Sequence, residues 1–189
     1  MLRLLTLDDF TIRNSLKTRL KKQGLASELI FDELAVNRGI AIADIVAFFE
    51  KPHCFEIKSD IDSLTRLEKQ SYVYSSSFPK VSLVTTEKHI SQAIKIIPAW
   101  WGLILAKKFR GKVTLKYLRK SSTNPVSTKE YLSRLLWNSE LKHELKKRNI
   151  RYTQKSARAE LSNLLAENTS QELIFKLVRG KLLERKQAR

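Results

Sequence analysis

The run "GIAIADIVAFF", residues 39–49, leaves this chain few choices. It is apolar almost throughout and carries one charge, Asp44. It falls well short of the ~20 apolar residues that span a bilayer. Its β-branched isoleucines and valine favour an extended backbone. Such a segment is a strand covered on both faces, which calls for a layered α/β architecture. The turn "EKPH" follows, with Pro52 unable to continue a central strand. "CFEIKS" forms the next strand.

The pattern on either side supplies the covering layers. Residues 8–22 predict a helix, with Phe10, Leu16 and Leu20 along one side and Gly24 at its end. "ASELIFDELAV" predicts a second short helix, with Leu29, Ile30 and Leu34 facing inward. Residues 63–78 predict a helix, "KVSLVTT" a strand, and "EKHISQAIKII" a helix. "WWGLILAKK" and "KVTLKYL" predict two further strands, giving the order ααββαβαββ. The polar stretch "RKSSTNPVS", 119–127, is the linker candidate. It divides the chain into an α/β domain over 1–120 and a helical region over 121–189. Ser127 and Glu130 have the spacing of a capping box at the start of that region.

Composition narrows the chemistry. One cysteine, Cys54, rules out an intramolecular disulfide and a cysteine-cluster zinc site, and fits a reducing cytoplasm. The N-terminus turns acidic after seven residues and reads as no signal peptide. His53, His89 and His143 have no ligand spacing, and His89 reads as a surface or capping residue. Trp100 and Trp101 read as core aromatics, with base stacking as the sharper alternative. The net charge is +17, unevenly placed. Residues 1–106 hold 14 Lys and Arg against 12 Asp and Glu, whereas residues 107–189 hold 22 against 7. A polycationic region of this kind points to phosphate, hence to nucleic acid, and away from a membrane.

Side chains alternate along a strand, so Phe55 and Ile57 share one face while Glu56 and Lys58 share the other. A buried carboxylate needs a cation. Lys58 alone would make an ion pair. A metal is the other option, since Asp44 on the preceding strand can approach Glu56 sideways. Two carboxylates with the backbone carbonyl of Ile57 make a hard oxygen site suited to Mg²⁺ or Mn²⁺. Lys58 beside it would orient a water or stabilise charge growing on phosphate. Glu33, on the expected second helix, would add a third acid, with Glu28 as the competing choice. Gln70 and Tyr74, four apart, share one face of the following helix.

Asp44, then Glu56-Ile57-Lys58, then Gln70-x-x-x-Tyr74 resembles the PD-(D/E)XK nuclease superfamily, in the branch of RecB-type domains. The run "ADIV…FEIKSDIDSLTRLEKQ…Y…VSLVTTEKH…IPAWWGLILA" also resembles a small family of predicted bacterial and phage nucleases within it. The resemblance covers roughly residues 10–106 and implies a restriction-endonuclease-like αβββαβ core with a mixed sheet. It implies Asp44 and Glu56 as metal ligands, Lys58 as the catalytic lysine, Gln70 and Tyr74 as substrate-strand or supporting residues, and Glu33 as the acid of the first core helix. Ala43 stands where the motif often has proline. The implied reaction is Mg²⁺-dependent phosphodiester hydrolysis in DNA, with RNA and a homodimer left open. A DNA-binding protein that keeps the fold without catalysis is the alternative.

In the basic region, "LKHELKKRNIRYTQKSARAELSNLL", 141–165, resembles a SAP-type helix–loop–helix DNA-binding motif. Leu141, Leu145, Ile150, Leu161 and Leu165 sit where such a motif places its small core. Asn149 and Gln154 replace the usual loop glycines, and asparagine takes the left-handed conformation more readily. The alternative is a basic helical bundle that packs on the α/β core. Either way, Lys142, Lys146, Lys147, Arg148, Arg151, Lys155 and Arg158 would contact phosphates without reading bases.

Overall fold

A computed structural model describes residues 6–126 and 128–188. Helix α1 (Asp9–Lys22) leads into strands β1 (Ile30–Val36), β2 (Ala41–Phe48) and β3 (Pro52–Lys58). Helix α2 (Leu67–Ser77), β4 (Lys80–Thr85), α3 (Glu87–Ile96), β5 (Gly102–Phe109) and β6 (Lys112–Arg119) follow. Four helices close the chain: α4 (Lys129–Ser133), α5 (Asn138–Lys147), α6 (Arg158–Glu167) and α7 (Gln171–Gln187). The strands form one mixed sheet in the order β1-β2-β3-β4-β5-β6. Its ladders are parallel for β3/β4 and β4/β5 and antiparallel elsewhere. The parallel neighbours are joined through α2 and α3, as crossover connections require.

The α/β class and the mixed sheet agree with the sequence reading, but one element does not. The helix expected over "ASELIFDELAV" is a single 3-10 turn, Ser27–Leu29, followed by β1. Local pattern loses to pairing here. The apolar run of β2 has a free edge, and β1 satisfies it from Ile30↔Ala47 to Val36↔Ala41. Glu33 therefore lies on a strand and Glu28 in the 3-10 turn, and both are exposed. Pro52 opens β3 as its first residue, a position where a missing N–H is tolerated. On α1 the buried stripe is Ile12, Leu16 and Leu20, whereas Phe10 is 72% exposed.

The sheet separates two apolar layers. On one side Leu7, Ile12, Leu16 and Leu20 meet Ile45, Ala47, Phe55, Ile57, Val84 and Ile104. On the other, Val46, Phe48, Cys54, Val81, Leu83 and Leu103 meet α2, α3 and the C-terminal helices. Trp101 and Cys54 lie in this second layer as core residues. So do Leu141, Leu145, Leu161 and Leu165, with Ile150 packed against them. The expected small core of the basic region is thus continuous with the core over the sheet. Asn149 does adopt a left-handed backbone, φ 56°. The stretch after β6 is pinned: the Asn124 amide donates to the Ser75 and Phe78 carbonyls at 2.6 and 3.0 Å. Ser127 lies outside the described residues, and Thr128 is the residue before α4.

A local irregularity positions the site. Ala43 and Val46 face the same layer, although strict alternation would oppose them. Phe31 and Leu34 on β1 do the same. Each strand therefore carries an extra residue at the same level. The register is kept on both sides, but Glu33 and Asp44, opposite one another, drop out of the ladder. Glu33 takes φ 51° to make this paired bulge. The bulge turns Asp44 away from α2 and toward α1.

One shared core predicts one cooperative unit. Leu165→Ala, in α6, is expected to destabilise the whole protein by ~2–5 kcal/mol. Urea unfolding followed by Trp fluorescence and by far-UV circular dichroism should show a single shifted transition. Separate transitions for helices and sheet would contradict the shared core.

Candidate functional site at the strand fork

Strands β2 and β3 pair only as far as Ile45↔Phe55 on the side away from their turn. Beyond it, β2 stays with β1 while β3 continues along β4 through Glu56↔Leu83 to Lys58↔Thr85. The strands part, and the next residue on each is Asp44 and Glu56. The fork frees backbone groups that need partners. The Ile57 N–H, without a β2 carbonyl, donates to Asp44 Oδ2 at 2.7 Å. The Ile57 amide is thus the backbone group that Asp44 engages at the fork.

Glu56 points into the α2 layer, 1% exposed, beside Lys58 at 4%. Both of its oxygens have donors. Lys58 Nζ and Gln70 Nε2 each lie 2.6 Å from Oε1, and the Tyr74 hydroxyl lies 2.9 Å from Oε2. Gln70 and Tyr74 reach the same carboxylate because they are one helical turn apart on α2. The Tyr74 hydroxyl also lies 2.7 Å from the Ile42 carbonyl. A hydroxyl has one proton, so it cannot fully serve both acceptors. The Tyr74 proton is therefore shared between the Ile42 carbonyl and Glu56 Oε2. Burial, then the neighbouring Asp44, push the Glu56 carboxyl up to about 7, against the pull of Lys58 and Tyr74. Burial and the Glu56 charge likewise raise Tyr74.

Asp44 has a different partner, one the sequence reading missed. Arg13 of α1 donates to Asp44 Oδ1 at 2.9 Å and to the Asp44 carbonyl at 2.6 Å. Arg13 is anchored one turn back by Asp9, 2.9 Å from its Nε. Asp32 of β1 stands 4.0 Å from Arg13 and is held at 2.7 Å by Lys17. Burial raises the Asp44 carboxyl, while the Ile57 N–H and Arg13 oppose that rise. The α1 acid nearest this pair is Asp9, which bonds Arg13, whereas Glu33 lies on β1. The signal was present, since Asp9, Arg13 and Lys17 recur every four residues and share a helix face.

The donor set suits a divalent ion by type. Asp44, Glu56 and Gln70 Oε1 are hard oxygens of the type Mg²⁺ and Mn²⁺ select. Gln70 Oε1 is buried and has no partner among the described residues. An orphaned buried oxygen on the residue that bonds Glu56 fits a cation or its bound water. Among the described residues, no three His, Cys, Asp or Glu side chains form a ready cage. In this arrangement the positive charge facing the acids is the protein's own, Arg13 on Asp44 and Lys58 on Glu56.

The expected phosphate contacts are spread over two surfaces. Lys146, Lys147, Arg151 and Lys155 are exposed on and after α5. Lys142 donates to the Gln154 carbonyl at 2.7 Å, and Arg148 pairs with Glu144. Arg158 instead lines a cleft against β1. His89 is buried, its Nε2 3.0 Å from the Ser59 carbonyl beside Lys58, rather than at the surface. Among the described residues no helix is long and apolar enough to cross a membrane.

Comparison with known proteins adds a lineage. The family model "Bacteriophage P4 protein cII" matches residues 6–189. The chain belongs to this family. It is 28% identical over 164 residues to protein cII of Enterobacteria phage P4, covering 85% of this chain. The match spans 62% of that relative's length, so the relative is considerably longer. Among solved structures, the SPO1766 protein of unknown function from Silicibacter pomeroyi aligns with a TM-score of 0.46 at 13% identity. That alignment covers 77% of this chain and 94% of the other.

The Glu56 environment sets a pH dependence. With its pKa raised from 4.5 to about 7 on folding, the group favours the folded state fully below about 4.5. That contribution is lost as pH rises through about 7. Denaturant titrations of metal-free protein should show stability falling across this window. Carbon-13 NMR of the Glu56 carboxyl should titrate near 7, and a midpoint near 4.5 would refute the assignment.

Proposed function

We propose that this protein is a metal-dependent nuclease of the restriction-endonuclease-like type, hydrolysing phosphodiester bonds in DNA. The observation that carries the reading is the fork. Two strands part at Asp44 and Glu56, and Lys58, Gln70 and Tyr74 all converge on the Glu56 carboxylate. The run α1-β1-β2-β3-α2-β4 has the αβββαβ order that the motif implies, which supports it further. Asp44 and Glu56 would hold a Mg²⁺ or Mn²⁺, which when bound would supply Lewis-acid activation of water and of the phosphate.

The remaining roles belong to the chain. Lys58 carries a fixed positive charge within 2.6 Å of Glu56, placed to offset charge that grows on a phosphate oxygen. Gln70 and Tyr74 orient Glu56. Arg13 orients Asp44 through Oδ1 and its carbonyl. The exposed lysines and arginines of the C-terminal helices supply sequence-independent attraction to phosphate.

A second reading rests on the same donors. Every oxygen of both carboxylates already accepts from a protein group, and Glu56, Lys58 and Tyr74 are buried. A nucleic-acid-binding protein whose acids serve only as ion-pair partners would look the same.

Calorimetry with MnCl₂ separates the two. The nuclease reading expects binding heat in the wild type that Asp44→Asn abolishes, together with Mg²⁺-dependent cutting of plasmid or single-stranded DNA. Lys58→Ala should keep Mn²⁺ binding and lose cleavage ~10²–10⁴-fold. Absence of both heat and cleavage in a folded wild type leaves the non-catalytic reading standing.

A further inference from the structure

A cleft of about 730 Å³ lies between β1 and the C-terminal helices. Five cationic side chains and two carboxylates line it. Three of the cations have local work. Arg185 pairs with Glu140 and stacks on Trp137, 4.1 Å from the ring centre. Arg134 pairs with Glu130 at 2.7 Å, yet its Nε is buried without an acceptor among the described residues. Lys186 donates to the Ile30 carbonyl at 2.8 Å and ties α7 to the start of β1. Of the two carboxylates, Asp32 is neutralised by Lys17 and Glu33 is exposed.

Arg38 and Arg158 differ from the others. Neither faces a carboxylate within ion-pair distance among the described residues, and Arg38 is exposed. Arg158 is half-buried, and the charges of Arg185 and Arg38 press on it. Like charges gathered in a partly desolvated cleft are unfavourable until an anion arrives. Arg38 is also held in an uncommon conformation. It has φ 63° between Asn37 at φ 46° and Gly39 at φ 84°. Left-handed non-glycine residues persist where surrounding structure imposes them, and they gather at binding sites. At the rim, Trp137 is 53% exposed.

We propose that this cleft seats a single strand of nucleic acid, with Arg38 and Arg158 on its phosphates and Trp137 stacking a base. Paired arginines recognise phosphate through planar forked donors, and a half-exposed tryptophan offers a stacking face that duplex DNA does not use. The inference rests on nucleic acid being the ligand and is independent of cleavage.

The test uses the full chain in EDTA, where cutting is silent. Anisotropy of a fluorescein-labelled, mixed-sequence single-stranded DNA is followed through a salt series. The variant Arg38→Gly/Arg158→Gln keeps the left-handed backbone at position 38, because glycine adopts it freely. Affinity is expected to fall at least tenfold, and the log–log salt slope to flatten by about 1.4, at ~0.7 per single-strand phosphate contact. Trp137→Ala should weaken single-stranded DNA more than a duplex of the same sequence. Unchanged affinity and slope in a variant that melts like the wild type would overturn the proposal. Should the double variant not fold, phenylglyoxal labelling of the wild type decides the matter. The oligonucleotide must shield Arg38 and Arg158 while Arg110, exposed at the β5–β6 turn, stays reactive. Equal labelling with and without DNA refutes the site, and so does equal shielding by inorganic phosphate at the same concentration. Failure here leaves the metal chemistry at the fork untested by this route, whereas failure of cleavage with this binding intact removes only the nuclease reading.

Discussion

The buried carboxylate of Glu56 is the constraint on which the surrounding structure turns. Desolvating an ionised carboxylate costs several kcal/mol unless donors are already aimed at it. The chain meets this with three: Lys58 from the same strand, and Gln70 and Tyr74 from one turn of α2. These bonds set the height and rotation of α2 over the sheet. Trp101 then packs at 6.3 Å on the Tyr74 ring, and its indole N–H bonds Ser75 at 3.0 Å. The polar cluster is thus walled by aromatic side chains, which keeps the dielectric low and the carboxyl easy to protonate.

The second acid is treated differently because the sheet is broken beneath it. The paired bulge at Glu33 and Asp44 and the end of the β2/β3 ladder at Ile45↔Phe55 coincide. Together they turn Asp44 toward α1, where Arg13 waits with Asp9 behind it. Each acid therefore has its own cation, delivered from opposite faces of the sheet. Two negative groups on neighbouring strand positions would otherwise repel in a partly buried setting. The same arrangement leaves one polar atom unserved, Gln70 Oε1, and it lies on the Glu56 side.

The C-terminal helices serve two purposes at once. Their apolar faces complete the layer that covers α2, β2 and β4, through residues such as Leu136, Leu165 and Val178. Their cations cannot join that layer and are left on the outside, in part exposed around α5 and in part against β1. A strongly basic segment fused to a nearly neutral one thus ends as one body with its excess charge on two surfaces.

The α/β class, the buried strands β2 and β3, and the pairing of Glu56 with Lys58 were legible in the residues. They depend on short-range rules: alternation along a strand, helical spacing, and the cost of an unpaired buried charge. So was the grouping of Gln70 with Tyr74, four apart on one helix. The left-handed turn at Asn149 followed from its side chain. Tertiary structure alone decided the rest. "ASELIFDELAV" has the periodicity of a helix, and only the vacant edge of β2 makes it a strand. That one change removed Glu33 from the site and brought Arg38 to the cleft. Arg13 meets Asp44 across thirty-one positions of sequence, and Arg158 nears Arg38 from a distant helix. No local pattern encodes such meetings, because they are set by how a bulge turns a strand and by which face of the sheet each helix covers.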